Sequence, residues 1–241
     1  CIRAVVRTAI YHKIEVMGIM HGYDGMINDE FIPLSAKSVA NIIQRGGTIL
    51  KTARSKEFRT VEGRKQAIAN LNKYGIEGIV VIGGDGTFTG AIELTKMCNI
   101  PVVGCPGTID NDLIGTDFTI GYDTAINTVV DAVDKLRDTA ESHDRLFFVE
   151  VMGRDAGLIA LRAGIAAGAE SILMPETKTD LNDLVNRLKN KRKSKNSKII
   201  IVAEGDEAGG AFGIAEKIGK ELPEYDMRVT ILGHIQRGGN P

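Results

Sequence analysis

Two short segments hold the residue types that phosphate chemistry needs. The apolar run Ile79-Val80-Val81-Ile82 leads into Gly83-Gly84-Asp85-Gly86-Thr87. A buried strand entering a glycine turn and then a helix aims backbone N–H groups and the positive helix end at whatever sits above the strand, which suits a phosphate. Gly84 and Gly86 allow close approach of the backbone, and Asp85 between them is placed to hold a Mg²⁺ that bridges nucleotide phosphates. The segment is neither a Walker A sequence nor the dinucleotide fingerprint. Taken alone it also fits an ordinary strand-to-helix turn. The second segment, Pro106-Gly107-Thr108-Ile109-Asp110-Asn111-Asp112, follows the next apolar strand and is expected to open at the same carboxyl edge. Phosphoryl transfer requires one group to take the proton of the attacking hydroxyl and others to neutralise oxygens. Asp110 and Asp112 can divide those roles with Asp85. Aspartates that merely cap a turn are the plainer alternative, and the glycine turn one strand away weighs against it.

These segments need a scaffold, and the chain supplies one in alternating pieces. Strands are expected at Lys13–Ile19, Gly78–Ile82, Val102–Cys105, Leu146–Met152, Ser171–Met174, Ile199–Ala203 and Arg228–Leu232. Helices are expected at Val61–Tyr74, Phe88–Cys98, Thr124–Ala140, Ala156–Ala167, Leu181–Lys191 and Ala211–Lys220. In the third of these, Ala125, Val129, Ala132, Val133 and Leu136 follow the spacing of an amphipathic helix. Strand and helix in alternation point to an α/β fold with mostly parallel sheets covered by helices on both faces. The strands read as continuous apolar runs, as strands buried on two faces should. The number of units, and the long polar stretch Pro106–Tyr122, favour two Rossmann-like three-layer α/β/α domains. The boundary is expected near Gly121, giving 1–121 and 122–241.

Composition narrows the partners. The 241 residues carry a formal net charge of -1, so any anion site must be built locally and nothing global invites nucleic acid or an acidic membrane. No apolar run approaches the roughly 20 residues that span a bilayer. The 3 cysteines, Cys1, Cys98 and Cys105, have neither the number nor the spacing of a disulfide framework or a zinc site. Of the 4 histidines, His234 alone sits in a polar cluster that suggests a role.

With both segments in this order, the chain resembles the phosphofructokinase family. The resemblance extends over Thr52-Ala53-Arg54, Arg137-Asp138-Thr139, Ser142-His143, Val151-Met152-Gly153-Arg154, Ala203-Glu204 and Leu232-Gly233-His234-Ile235-Gln236-Arg237-Gly238-Gly239. It implies transfer of a phosphoryl group from MgATP to the 1-hydroxyl of fructose 6-phosphate, the committed step of glycolysis, by a cytoplasmic homotetramer. Asp110 matches the family's base. Thr108 and Asp112 match groups that position the transferring phosphoryl, and Arg54 and Arg154 match arginines that reach nucleotide or transferring phosphates. Gly84, Asp85, Gly86 and Thr87 match the nucleotide turn, with Asp85 as metal ligand. Met152, Gly153, Glu204, His234 and Arg237 match the sugar-phosphate pocket, so 1–121 would bind ATP and 122–241 the sugar phosphate. Arg145 and Arg228 match residues that reach the substrate of a neighbouring subunit. In pyrophosphate-using relatives an Asp stands at the position of Gly86 and a Lys at that of Gly107, so the two glycines imply ATP as donor.

Arg3 and Arg7, with Arg137, Lys193 and Lys195, resemble an effector pocket for ADP or phosphoenolpyruvate. The family's arginine and aspartate near a short helix at Ser35–Ile43 appear here as Ala36 and Asn41, which implies altered regulation. The family also carries a strand and a GGDxPG loop before the helix containing Arg3, and further helices beyond Pro241. The chain is therefore expected to hold an incomplete ATP site. NAD kinases and lipid kinases share GGDGT-like turns, but Thr108–Asp112 and Met152–Arg154 count against them. A catalytically silent sugar-phosphate sensor is the other reading, and intact Asp85, Asp110 and Asp112 count against it.

Overall fold

The structure, a computed structural model, describes residues 1–143, 145–190 and 198–240. It divides into two compact units, Cys1–Gly107 with Asn240, and Thr108–Gly239.

In the second unit the alternation of side chains along the strands builds the layers. The helices are α5 (Tyr122–His143), α6 (Leu158–Ala166), α7 (Leu181–Asn190) and α8 (Gly210–Glu221). The strands, here numbered after four in the first unit, are β5 (Arg145–Val151), β6 (Ser171–Leu173), β7 (Lys198–Ala203) and β8 (Asp226–Ile231). They pair in the order β6-β7-β5-β8, and every pairing is parallel. Phe147, Val149, Ile199 and Ile201 turn to one face and pack on Ala125, Val129 and Val133 of α5 and Ile159 and Ala163 of α6. Leu146, Phe148, Ile200 and Val202 turn to the other and meet Leu184 and Leu188 of α7 and Ile214 and Ile218 of α8. Period-two alternation between two apolar faces makes a strand read as one continuous apolar run. This unit is a helix–sheet–helix sandwich, as expected.

The first unit has α1 (Ile2–Tyr11), β1 (Val16–Ile19), α2 (Tyr23–Ile27), β2 (Phe31–Leu34), α3 (Val61–Lys73), β3 (Ile79–Gly83), α4 (Asp85–Thr95) and β4 (Val102–Pro106). β1 and β2 pair antiparallel, while β3 and β4 pair parallel. Helix α3 begins where the Thr60 hydroxyl accepts the Gly63 N–H at 3.0 Å, an N-cap. Ala67 and Leu71 of α3 and Ala91 and Leu94 of α4 cover Ile79 and Val81. On the opposite face Val80, Ile82 and Val103 are exposed. Two elements carried little periodic signal: α2 has five residues, and β2 contains Pro33 on an edge, where its missing N–H is tolerated. Helix α4 starts three residues earlier than expected, so Asp85 is its first helical residue. No helix of the described residues is long and apolar enough to cross a membrane.

The chain passes from one unit to the other between Gly107 and Thr108, upstream of the expected Gly121. Residues 108–121 fold back on themselves, with the Gly121 N–H donating to the Thr108 carbonyl at 3.1 Å, and so travel with the second unit. Nor is there a helix over Ser35–Ile43; the segment is a series of turns. Ser35 and Ser38 bond to each other and to local backbone N–H groups, and Asn41 sits at φ +54°. Both features compete with helix formation.

Candidate active site

In the first unit, β3 ends at Gly83, and extended Gly84 serves as N-cap of α4. The first N–H groups of the helix are therefore unpaired within it, and Asp85 is exposed beside them. Gly107 N–H donates to the Gly83 carbonyl at 2.9 Å, so β4 leaves the sheet at the same edge as this turn. A Cβ at Gly86 would meet nothing within 4 Å. Tyr23, which carried no signal in the sequence, supports the turn: its hydroxyl donates to the Thr87 carbonyl at 2.6 Å. Its ring stacks on Phe58 with centroids 4.0 Å apart, and burial pushes its phenol up to about 12. Arg54 is exposed, ahead of the 3-10 turn Glu57–Arg59, and has no hydrogen bond or ion pair among the described residues.

No cluster of three His, Cys, Asp or Glu among the described residues could hold a metal by itself. Mg²⁺ does not need one. It keeps several waters and is bound by one or two carboxylates plus phosphate oxygens. Exposed Asp85, next to free helix N–H groups, fits a Mg²⁺ that arrives with nucleotide phosphates.

In the second unit the expected residues converge at the carboxyl edge of the sheet. Asp110 is 8% exposed. Its backbone N–H donates to the Thr108 hydroxyl at 3.2 Å, and that hydroxyl donates to Asp110 Oδ2 at 3.1 Å. Arg154 Nε lies 3.8 Å from the same Oδ2. Burial holds the Asp110 carboxyl above the usual carboxylate range; Asp112 and Glu204 push the same way, while Thr108 and Arg154 oppose. Asn111 makes the turn between the two aspartates at φ +58°, a conformation Asn tolerates. Its side-chain oxygen accepts the Thr119 N–H at 2.6 Å, and its nitrogen donates to the Asp117 carbonyl at 3.2 Å.

Strands β5 and β7 end side by side, Val151 opposite Ala203, which brings Met152–Arg154 next to Glu204. One oxygen of Glu204 accepts the N–H of Gly153 at 3.3 Å and of Arg154 at 2.7 Å. These bonds hold an unusual backbone. Gly153 has φ +145° and Arg154 φ +53°, and the latter costs roughly 1–2 kcal/mol for a residue with a Cβ. The space here is also full: a Cβ at Gly205 would stand 2.1 Å from the Arg154 carbonyl oxygen. Gly205→Ala is expected to destabilise the protein by about 1–3 kcal/mol through overpacking, read as a lower urea midpoint. His234 and Arg237 are exposed on the 3-10 turn Gly233–Arg237 after β8, at the same edge.

Other expected residues lie elsewhere. Arg145 opens β5, and its Nε is 2.9 Å from Asp226 Oδ2; Arg228 Nη2 is 2.8 Å from the same oxygen. The two arginines hold the Asp226 carboxyl below its ordinary range. This cluster is at the amino edge, about 23 Å along β5 from Met152 at ~3.3 Å per residue. Within one chain, then, Arg145 and Arg228 do not join the Asp110 site. Arg3 donates to the Val39 carbonyl at 2.8 Å, Arg137 donates to the Ala167 carbonyl, and Arg7 is exposed. Lys193 and Lys195 lie outside the described residues.

The family model described as phosphofructokinase matches residues 1–241, and the chain belongs to that family. Two similar relatives are named ATP-dependent 6-phosphofructokinase, from Cytophaga hutchinsonii, 59% identical, and ATP-dependent 6-phosphofructokinase 2, from Bacteroides thetaiotaomicron, 58% identical. Each alignment covers 100% of this chain and 74% of the relative. The crystal structure of Pichia pastoris phosphofructokinase in the T-state superposes with TM-score 0.90 at 38% identity, covering 100% of this chain and 28% of that one.

Proposed function

We propose that this chain carries the phosphoryl-transfer chemistry of an ATP-dependent 6-phosphofructokinase. The first unit supplies the residues that hold MgATP, and the second those that hold and activate fructose 6-phosphate. The observation that carries this reading is the buried Asp110 carboxylate, set beside Arg154 and the backbone that Glu204 holds.

Thr108 and Arg154 both engage Oδ2 of Asp110, which leaves Oδ1 to accept a proton. In the transfer, the sugar 1-hydroxyl oxygen forms a bond to the γ-phosphorus of ATP as the bond to the β,γ-bridging oxygen breaks. The hydroxyl proton passes to Asp110, and ADP leaves with the bridging oxygen. Arg154 offers a delocalised cation to the charge on the transferring oxygens, and Arg54 and the N–H groups at the start of α4 do so for the donor phosphates. Asp85 would hold a Mg²⁺, which would supply neutralising charge to the phosphate oxygens. Met152, Gly153, Glu204, His234 and Arg237 hold the sugar phosphate.

The reading extends to assembly. Arg145 and Arg228 share one exposed carboxylate, so the surface keeps an excess positive charge suited to the substrate phosphate of a neighbouring subunit in a homotetramer. ADP or phosphoenolpyruvate binding at Arg3, Arg7 and Arg137 belongs to the same reading, as does a cytoplasmic location.

The test is ADP release by the purified protein. Release is expected to require fructose 6-phosphate together with ATP, and to fail with NAD as acceptor. Sugar-phosphate binding without turnover would support a sensor instead. The pH profile adds a sign. Asp110 must be ionised to accept a proton, and its pKa is raised, so kcat/KM is expected to fall with decreasing pH at a midpoint above the ordinary carboxylate value of about 4. Asp112→Asn removes one of the charges that raise it and should move that midpoint down.

A further inference from the structure

Gln236 lies between His234 and Arg237 in the turn after β8, yet its side chain is turned away from both. It is 1% exposed, while its two neighbours of interest face solvent. Burying a primary amide is unfavourable unless its hydrogen bonds are made, and here both ends are used. Its Oε1 accepts the Met152 N–H at 3.2 Å. Its Nε2 donates to the Gly233 carbonyl at 3.0 Å.

Those two bonds connect separate pieces of the sugar-phosphate site. Met152 begins the Met152–Arg154 segment at the end of β5, and Gly233 begins the turn that presents His234 and Arg237. The neighbouring strands meet one step earlier, where the Leu232 N–H donates to the Glu150 carbonyl at 3.0 Å. Beyond that bond the sheet ladder has ended, and the turn packs against α5. Gln236 adds the hydrogen bond that ties the turn to the end of β5. Because a 3-10 turn repeats every three residues, its side chain lies over Gly233 and can close the turn and reach Met152 together.

We infer that Gln236 is a positioning residue for sugar-phosphate recognition: it fixes His234 and Arg237 relative to Met152–Arg154 without touching the ligand. This rests on the enzyme reading above. It assigns Gln236 no part in donor binding or proton transfer, so its removal should act on one substrate only.

Gln236→Met keeps the length of the side chain and removes both bonds; Gln236→Glu keeps the acceptor for Met152 and loses the amide donor. The fructose 6-phosphate KM is expected to rise at least about tenfold in Gln236→Met, the loss that goes with stranding buried polar partners. Gln236→Glu is expected to fall between that variant and wild type. The ATP KM, and kcat at saturating sugar, should stay within about twofold in both. A role in stability alone would lower the melting temperature and the active fraction, and hence apparent kcat, while leaving the sugar KM alone. That pattern, or a sugar KM unchanged in both variants, would overturn the inference. Amide exchange at Met152 in the free protein reads the hydrogen bond directly and should accelerate in Gln236→Met; unchanged exchange would also overturn it. If wild type releases no ADP in response to the sugar, the enzyme reading itself fails and this inference goes with it.

Discussion

Asp110→Asn is expected to lower kcat by about 10²–10⁴ while leaving the KM for fructose 6-phosphate close to wild type. The substitution is nearly isosteric and keeps an oxygen able to accept from the Thr108 hydroxyl, but it cannot take a proton at neutral pH. The loss therefore falls on the step in which the sugar hydroxyl attacks. Stability should move the other way. Burial raises the carboxyl's pKa in the folded protein, so the folded state binds the proton more tightly than the unfolded chain does. A group shifted in that direction contributes most below its unfolded pKa, and that contribution is lost as pH rises through the folded one. At neutral pH the charged, desolvated carboxylate is thus a cost to folding, and the neutral amide relieves it. Asp110→Asn is expected to melt at or above the wild-type temperature. A variant that loses activity and melts clearly lower would mean that Asp110 organises the fold. One that retains more than a tenth of wild-type kcat would remove Asp110 as the base.

The residues that meet at Asp110 were legible because they cluster in short motifs at strand ends, where a parallel sheet gathers its loops. The layers of the second unit were legible for a related reason: strand segments such as Leu146–Val149 and Ile199–Ala203 bury both faces and show it as unbroken apolar runs. What escaped depends on pairing across long stretches of chain. Arg145 and Asp226 are register partners, and nothing local announces that Arg228 will share the same carboxylate. Glu204 is expected at the pocket from the family pattern, but its hold on the Gly153 and Arg154 N–H groups follows only from β5 and β7 being neighbours. Gln236 and Tyr23 look like spacers until their burial and partners are seen. The boundary was misplaced because residues 108–121 are irregular, and irregular chain belongs wherever its hydrogen bonds go. The Gly121 carbonyl accepts from the Ala125 N–H of α5, and Ile109 packs on the second unit's core. In the first unit, neither the antiparallel β1–β2 pair nor the exposed face of β3–β4 has a signature in residue order.

Donor choice gives the other large effect. Gly86→Asp should reduce kcat/KM for ATP by on the order of 10²-fold or more, and leave the protein folded. The structure separates those two outcomes. A side chain at position 86 begins in open space, with nothing within 4 Å of its Cβ, and the position falls in the first turn of α4, where an acidic group favours the helix dipole. Folding therefore has no reason to suffer, and the melting temperature should hold or rise slightly. What the carboxylate does meet, on the reading proposed here, is the anionic phosphate chain of the nucleotide. Like charges brought together at a binding surface cost several kcal/mol, and each 1.4 kcal/mol is a factor of ten. On the same reading, binding of fructose 6-phosphate depends on residues of the second unit and should be unchanged by calorimetry. Raising Mg²⁺ should recover part of the lost ATP efficiency by screening the new charge, whereas a purely steric block would not respond. If kcat/KM for ATP stays within threefold of wild type, donor phosphates do not approach Gly86, and the turn at the end of β3 loses its place in the mechanism.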